Sequence, residues 1–417
     1  MKKFLVSSLV VALVLSSFMF FFNLSQTVEA QAVIKVGLVT DVGGRGDKSF
    51  NDSALRGLEN WGAGLKMVAG VGYQAMTDAE YQKSIEDEAP GLLDRGIKKY
   101  NVEPLVLESK ASEDYVPNLK TLAAKGASLI IGVGFMLTDA IAEVALLYPD
   151  VKFMLIDGWI DNPPVNVVCY VFKEQEGSFL VGALVGQMTM KNVVGFVGGM
   201  DLGIIHRFEA GYKAGLKTVN PAISILEGYT GNFTSTEDGQ KIAKTQFDQG
   251  ADIVYHASGA CGIGVIEEAK GRPAGYFAVG VDSDQDYMAP GKVLTSMIKH
   301  VDYAVWLSIA SIAENTFTSG HVILGVTEGG VGISPLKYTK NLISSTILAK
   351  VEDLKAKIVS GEIVVPATRD EYTAWEATLV DEEPPPEEKK PINWLYIVVA
   401  VVVVAAIAKF VFLKGKK

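Results

Sequence analysis

The chain alternates short β-branched runs with amphipathic helical stretches along most of its length, and that alternation allows few architectures. Apolar runs of five to eight residues separated by helix-period segments read as a parallel sheet covered by helices. Strands are expected at 34–40, 104–108, 128–133, 152–156, 193–197, 223–227, 253–256 and 276–280. Helices are expected at 116–124, 138–147, 175–190, 208–218, 237–249 and 264–270. The units fall into two successive sets with a break near Asp157–Pro164, where Pro163-Pro164 suits a crossing between lobes because proline fixes φ and cannot extend a helix. The expected fold class is therefore α/β with two lobes, each a parallel sheet flanked by helices, and a cleft between them. The first lobe is read mainly over 33–157 and the second mainly over 165–281, with later segments shared.

The ends carry a different pattern. Met1-Lys2-Lys3, an apolar run from Phe4 to Phe22 and small residues at Val28-Glu29-Ala30 read as a signal peptide over 1–30. No cysteine follows the apolar run, which sets aside a lipid anchor there. Trp394 to Leu413 is an apolar stretch of bilayer length, read as a transmembrane anchor, with Lys414, Lys416 and Lys417 as a basic cytoplasmic tail. The acidic, proline-rich segment 370–393 is read as a stalk. These readings place a binding domain outside the cell, tethered by a single membrane pass. The body of about 340 residues between the ends is long enough for two lobes.

Composition excludes several functions. The net charge of −10, from 38 basic and 48 acidic residues, lacks the basic footprint that nucleic-acid binding needs. There is no Gly-x-x-x-x-Gly-Lys-Ser/Thr loop for ATP phosphates and no Gly-x-Ser-x-Gly elbow. Gly132-Val133-Gly134 lacks a third glycine at Leu137, so the dinucleotide fingerprint fails. His206, His256, His300 and His321 are scattered without metal-ligand spacing. An enzyme, a cofactor and a metal are therefore not expected. Cys169 and Cys261 read as buried free thiols, with a disulfide as the alternative.

Ligands of open parallel sheets bind beyond the carboxyl ends of the strands. The first strand runs into Asp41-Val42-Gly43-Gly44-Arg45-Gly46-Asp47-Lys48-Ser49-Phe50-Asn51. Its glycines let backbone approach a ligand, and Asp41, Phe50 and Asn51 offer polar and stacking groups. The plainer reading is a strand-to-helix turn capped by Asp47 or Ser49. Residues 62–90 fit the alternation poorly and read as an insertion on the first lobe's surface.

Val36 through Gly44, followed by Asp47-Lys48-Ser49-Phe50-Asn51, resembles the opening of the basic membrane protein family, purine-nucleoside receptors of ABC importers with a type I periplasmic-binding-protein fold. The resemblance continues through Thr138-Asp139-Ala140, Ile156-Asp157, Arg207-Phe208-Glu209-Ala210-Gly211-Tyr212, Gly280-Val281-Asp282-Ser283-Asp284-Gln285 and Thr295-Ser296-Met297-Ile298-Lys299, spanning about residues 34 to 365. It implies that Phe50 and Phe208 sandwich a base, one ring from each lobe. It further implies that Asp41 and Asn51 hydrogen-bond the base and that Asp139, Asp282 and Lys299 surround the ribose. Gly259 and Gly280 are expected to let main chain come close. Glu174 and Glu176 read as helix-start or interlobe groups. The implied partners are a small-molecule nucleoside and the permease and ATPase subunits of an importer. The alternatives are the same clamp on another small polar ligand such as a sugar, or a surface sensor or adhesion protein, because fold does not fix ligand.

Overall fold

The computed structural model describes residues 32–380. Two six-stranded sheets organise the described residues up to Tyr372, 32–372, which form one compact unit. The first begins with β1 (Ile34–Val39) and gathers β4 (Val102–Leu107), β5 (Leu129–Val133), β6 (Lys152–Ile156), β7 (Val167–Phe172) and β13 (Gly320–Leu324) in the order β13-β7-β6-β5-β1-β4. All its pairings are parallel. β5 and β7 are buried along their whole length, as expected of strands covered on both faces. Helices α1 (Phe50–Arg56), α3 (Tyr115–Ala124) and α4 (Thr138–Leu147) belong to this lobe, and Leu119, Leu122, Ile141 and Val144 pack against Ile130 and Phe153 in its core.

The second sheet contains β8 (Val193–Gly198), β9 (Ser224–Tyr229), β10 (Ile253–Ala257), β11 (Phe277–Asp282), β12 (Val293–Lys299) and β14 (Val331–Ile333), ordered β14-β12-β11-β10-β8-β9. It is parallel except for β14, which runs antiparallel to β12. Helices α5 (Glu174–Met188), α6 (Gly203–Val219), α7 (Thr236–Asp248) and α8 (Cys261–Gly271) cover it. α5 and α6 touch backbone to backbone: a Cβ on Gly211 would lie 2.1 Å from the Gln175 carbonyl oxygen, and one on Gly215 would lie 2.0 Å from that of Phe179. Only glycine fits at both positions.

The chain passes between lobes three times. β7 leads into α5, β12 leads into α9 (Val301–Ala313), which packs on α1, and β13 leads to β14. The first crossing thus follows Phe172 instead of Asp157–Pro164. Pro163-Pro164 lies in a loop between β6 and β7, which pair with each other in the first sheet. The poorly fitting segment forms an antiparallel hairpin, β2 (Leu65–Val68) with β3 (Gly72–Ala75), and helix α2 (Asp78–Glu88), which opens on a reciprocal cap between Thr77 and Glu80. Helix α10 (Ser345–Val359) packs on α5.

Two expectations about the ends change. Residues 370–380, assigned to the stalk, are helical as part of α11 (Arg369–Val380). Among the described residues no helix is long and apolar enough to cross a membrane. The C-terminal transmembrane helix is accordingly removed from the fold class; 394–413, like the signal segment 1–30 and the acidic run 381–393, lies outside the described residues. Cys169 and Cys261 are both buried and unbridged.

Candidate functional site

The loop between β1 and α1 is built around Asp47. Its carboxylate accepts the backbone N–H groups of Ser49 (2.9 Å), Asn51 (2.8 Å) and Asp52 (3.1 Å), satisfying the donors that open the helix. It also accepts from the Asn51 side chain, at 3.0 Å. The Asn51 amide nitrogen donates in addition to Asp41 Oδ1 at 2.7 Å. With both carboxylates on its NH2 group, the amide is oriented with Oδ1 turned away from them, and that oxygen is buried without a partner. The Asp41 oxygen that meets Asn51 also accepts the Gly43 N–H at 2.8 Å. Burial pushes the Asp41 carboxyl up to about 6 against these hydrogen bonds.

Lys299, at the carboxyl end of β12, is 1% exposed. Its ammonium lies 2.5 Å from Asp157 Oδ2 and 3.0 Å from Glu174 Oε1. It also lies 5.1 Å from the Phe50 ring, 5.0 Å from Phe172 and 5.6 Å from Phe208. Burial alone would lower its pKa, but the carboxylates of Asp157, Glu174 and Asp282 outweigh that and hold the ammonium above its ordinary value. One ammonium cannot neutralise three buried acids, and burial raises Asp157 to about 6 and Asp282 to about 7 despite the nearby lysine.

Asp157 directly follows β6 and Asp282 ends β11, with φ of +62° and +63°, left-handed backbone that aspartate tolerates better than most residues. They face each other from different lobes. The Ser49 hydroxyl, on the first lobe, donates to Asp282 Oδ2, while Ser283 Oγ donates to the Ser49 carbonyl at 3.3 Å and Gln285 Nε2 to the Lys48 carbonyl at 3.0 Å. Asp157 Oδ1 is a second buried acceptor without a partner.

Asp41, Asp47, Asn51, Asp157, Asp282 and Lys299 line one cleft that holds about 590 Å³ of space not filled by atoms, part of it open to solvent. Of the sequence-predicted residues, Asp41, Phe50, Asn51, Phe208, Gly259, Asp282 and Lys299 line it. Phe50 comes from α1 of the first lobe and Phe208 from α6 of the second. Asp139 does not reach the cleft: it is exposed in the first turn of α4, where a carboxylate favours the positive helix end. Gly280 is also outside the lining, since its missing Cβ faces Ser296 Oγ at 2.4 Å within the second lobe. Glu174 is buried behind Lys299, and Glu176 accepts the Val326 N–H at 2.8 Å across a crossing segment.

Sequence reasoning missed Asp157, Gly134, Phe135 and Phe233, which also line the cleft. Asp157 stands at a strand's carboxyl end, the rule that singled out Asp41, and was passed over as a lobe boundary. The phenylalanines carry no local signal. The lining holds four aspartates, Asp41, Asp47, Asp157 and Asp282, against the single cation of Lys299. Such a cleft attracts hydrogen-bond donors and apolar rings and repels anions. Among the described residues no group of three or more histidine, cysteine or acidic side chains could hold a metal ion.

The family described as ABC transporter substrate-binding protein PnrA-like matches residues 34–369. The CD4+ T-cell-stimulating antigen of Listeria monocytogenes is 37% identical over 348 residues, covering 79% of this chain and 87% of that protein. Basic membrane protein A of Borreliella burgdorferi is 33% identical over 344 residues, covering 81% and 89%. Among solved structures, an ABC transporter solute-binding protein of Aeropyrum pernix K1 superposes with a TM-score of 0.67 at 27% identity, covering 83% of this chain and 97% of that one. With the two-lobed fold and its interlobe cleft, these matches mean that the chain belongs to the PnrA-like family of ABC transporter substrate-binding proteins, with a type I periplasmic-binding fold.

Proposed function

We propose that the cleft binds a purine nucleoside, which the protein hands to the permease of an ABC importer from the outer side of the membrane. The observation that carries this is the pairing of Phe50 and Phe208, one per lobe, with buried acceptors that lack a donor, Asn51 Oδ1 and Asp157 Oδ1. A nucleoside has two ring faces to stack, N–H groups for Asn51 and Asp41, and ribose hydroxyls for Asp157 and Asp282. It carries no phosphate to meet the four aspartates. A free sugar would satisfy the carboxylates and leave both rings without a flat partner.

Calorimetric titration with inosine, guanosine, ribose and inosine monophosphate tests the assignment. A nucleoside is expected to bind at least about a hundredfold more tightly than ribose, the worth of two stacking contacts of at least about 1.4 kcal/mol each. The monophosphate is expected to bind far more weakly than its nucleoside. Ribose binding as tight as inosine, or a monophosphate preferred over its nucleoside, would overturn the proposal.

A further inference from the structure

A second and larger cavity lies on the far side of the interlobe crossings, with about 1510 Å³ of space not filled by atoms and a mouth open to solvent. Lys299 faces the nucleoside cleft while its neighbours Ile298 and His300 face this cavity, as alternation along a strand requires. Both lobes supply its walls. Leu92 follows α2 on the first lobe, Leu348 and Val351 come from α10 on the second, and Val326 comes from the third crossing.

The walls mix aliphatic with polar residues, and the charge at the mouth is uneven. Arg95, Lys340 and Lys355 line it, all exposed, and none makes an ion pair or side-chain hydrogen bond among the described residues. Against them stand Glu88, held 3.4 Å from Arg56, and Glu352. Three uncommitted cations against one uncommitted acid is an unusual local excess for a chain of net charge −10. Aliphatic and charged side chains share its lining, so the cavity suits a small molecule that has both an apolar and a charged part.

We propose that this cavity binds a small amphipathic anion, an aliphatic carboxylate whose chain lies among Leu92, Leu348 and Val351 and whose head meets Arg95, Lys340 and Lys355. Such an occupant bears on lobe closure. Glu88 and His300 on the cavity wall belong to an ionic cluster in which Arg56 also meets Asp302, at 2.7 Å, and Ser283 of the opposite lobe, at 3.2 Å. A ligand touching both lobes binds their open and closed arrangements unequally, and by linkage it alters affinity in the main cleft.

Calorimetry on the full chain, with decanoate below its micellar concentration, tests the site. Decyltrimethylammonium and decanol serve as controls of equal chain length. Decanoate is expected to bind saturably, and both controls at least about tenfold more weakly. The double variant Lys340→Glu/Lys355→Glu, at exposed positions, is expected to weaken decanoate about tenfold or more, and Leu348→Asp to weaken it likewise by placing a carboxylate where the chain lies. Equal binding of the ammonium control, unchanged decanoate binding in both variants, or loss of decanoate in Phe208→Ala instead would overturn the proposal. Saturating decanoate is further expected to change inosine affinity by about threefold or more; an unchanged affinity would overturn the coupling. That last arm rests on the nucleoside assignment, whereas the decanoate isotherm does not, so the two failures are distinguishable.

Discussion

Replacing Asp282 with asparagine should make the protein more stable and a poorer receptor, with the stability gain appearing only as the pH rises. Asp282 is buried at a left-handed position, φ +63°, that asparagine adopts readily. The amide oxygen can still accept the Ser49 hydroxyl, so the backbone and the interlobe contact survive the change. What disappears is a carboxyl that burial raises from 3.8 to about 7. A folded-state pKa above the unfolded value means the native protein holds its proton more tightly. The group's favourable contribution is therefore complete below about pH 4 and is lost as the pH climbs through 7. At about 1.4 kcal/mol per pH unit, a rise from 3.8 to about 7 amounts to about 4 kcal/mol lost by pH 8 in the wild type. Relaxation around the charge reduces this, and a gain of about 2–4 kcal/mol for Asp282→Asn at pH 8 is the expectation. At pH 4 the two proteins should be nearly equal. Urea unfolding at pH 4, 6 and 8, read as a midpoint difference at constant slope, measures it. A gain independent of pH, or a loss at pH 8, would refute the reasoning. Nucleoside affinity should fall in the same variant, because an amide offers ribose hydroxyls a weaker acceptor than a carboxylate.

Phe50→Ala and Phe208→Ala should each cost about 1–3 kcal/mol of nucleoside binding, with Phe50→Tyr much milder than Phe50→Leu, all read by calorimetry. Lys299→Met should lower stability in urea by about 3–5 kcal/mol at pH 8, since it leaves Asp157 and Glu174 buried without their counter-charge. Asp139→Asn, at an exposed position away from the cleft, should leave nucleoside affinity within about twofold of wild type. Gly215→Ala should destabilise by several kcal/mol or prevent folding, seen as lost thermal cooperativity, because the new methyl would sit 2.0 Å from the Phe179 carbonyl oxygen across α5 and α6.

Much of the architecture was legible in local pattern. Strands buried on both faces must be continuously apolar, and helices over a sheet must be amphipathic, so β6 and α4 could be read to the residue. Two of the elements that escaped have a pattern that is ambiguous alone. α9 is buried around most of its circumference and so shows no helical periodicity. β7 was hidden by the prolines before it, which stop a helix as well in a loop within one lobe as in a crossing between two. The sequence by itself determined the two-lobed α/β character of the fold and the position of several of its strands and helices, because these depend on neighbours along the chain; the C-terminal membrane helix it also called for is not supported. Only the tertiary structure decided what the strand ends form together. Lys299 finds Asp157 across 142 residues of sequence, Ser49 finds Asp282 across 233, and the second cavity takes its walls from α10, β14 and the segment after α2. Charges and cavities of this kind arise where distant segments converge in a medium of low dielectric, and no spacing along the chain encodes that convergence.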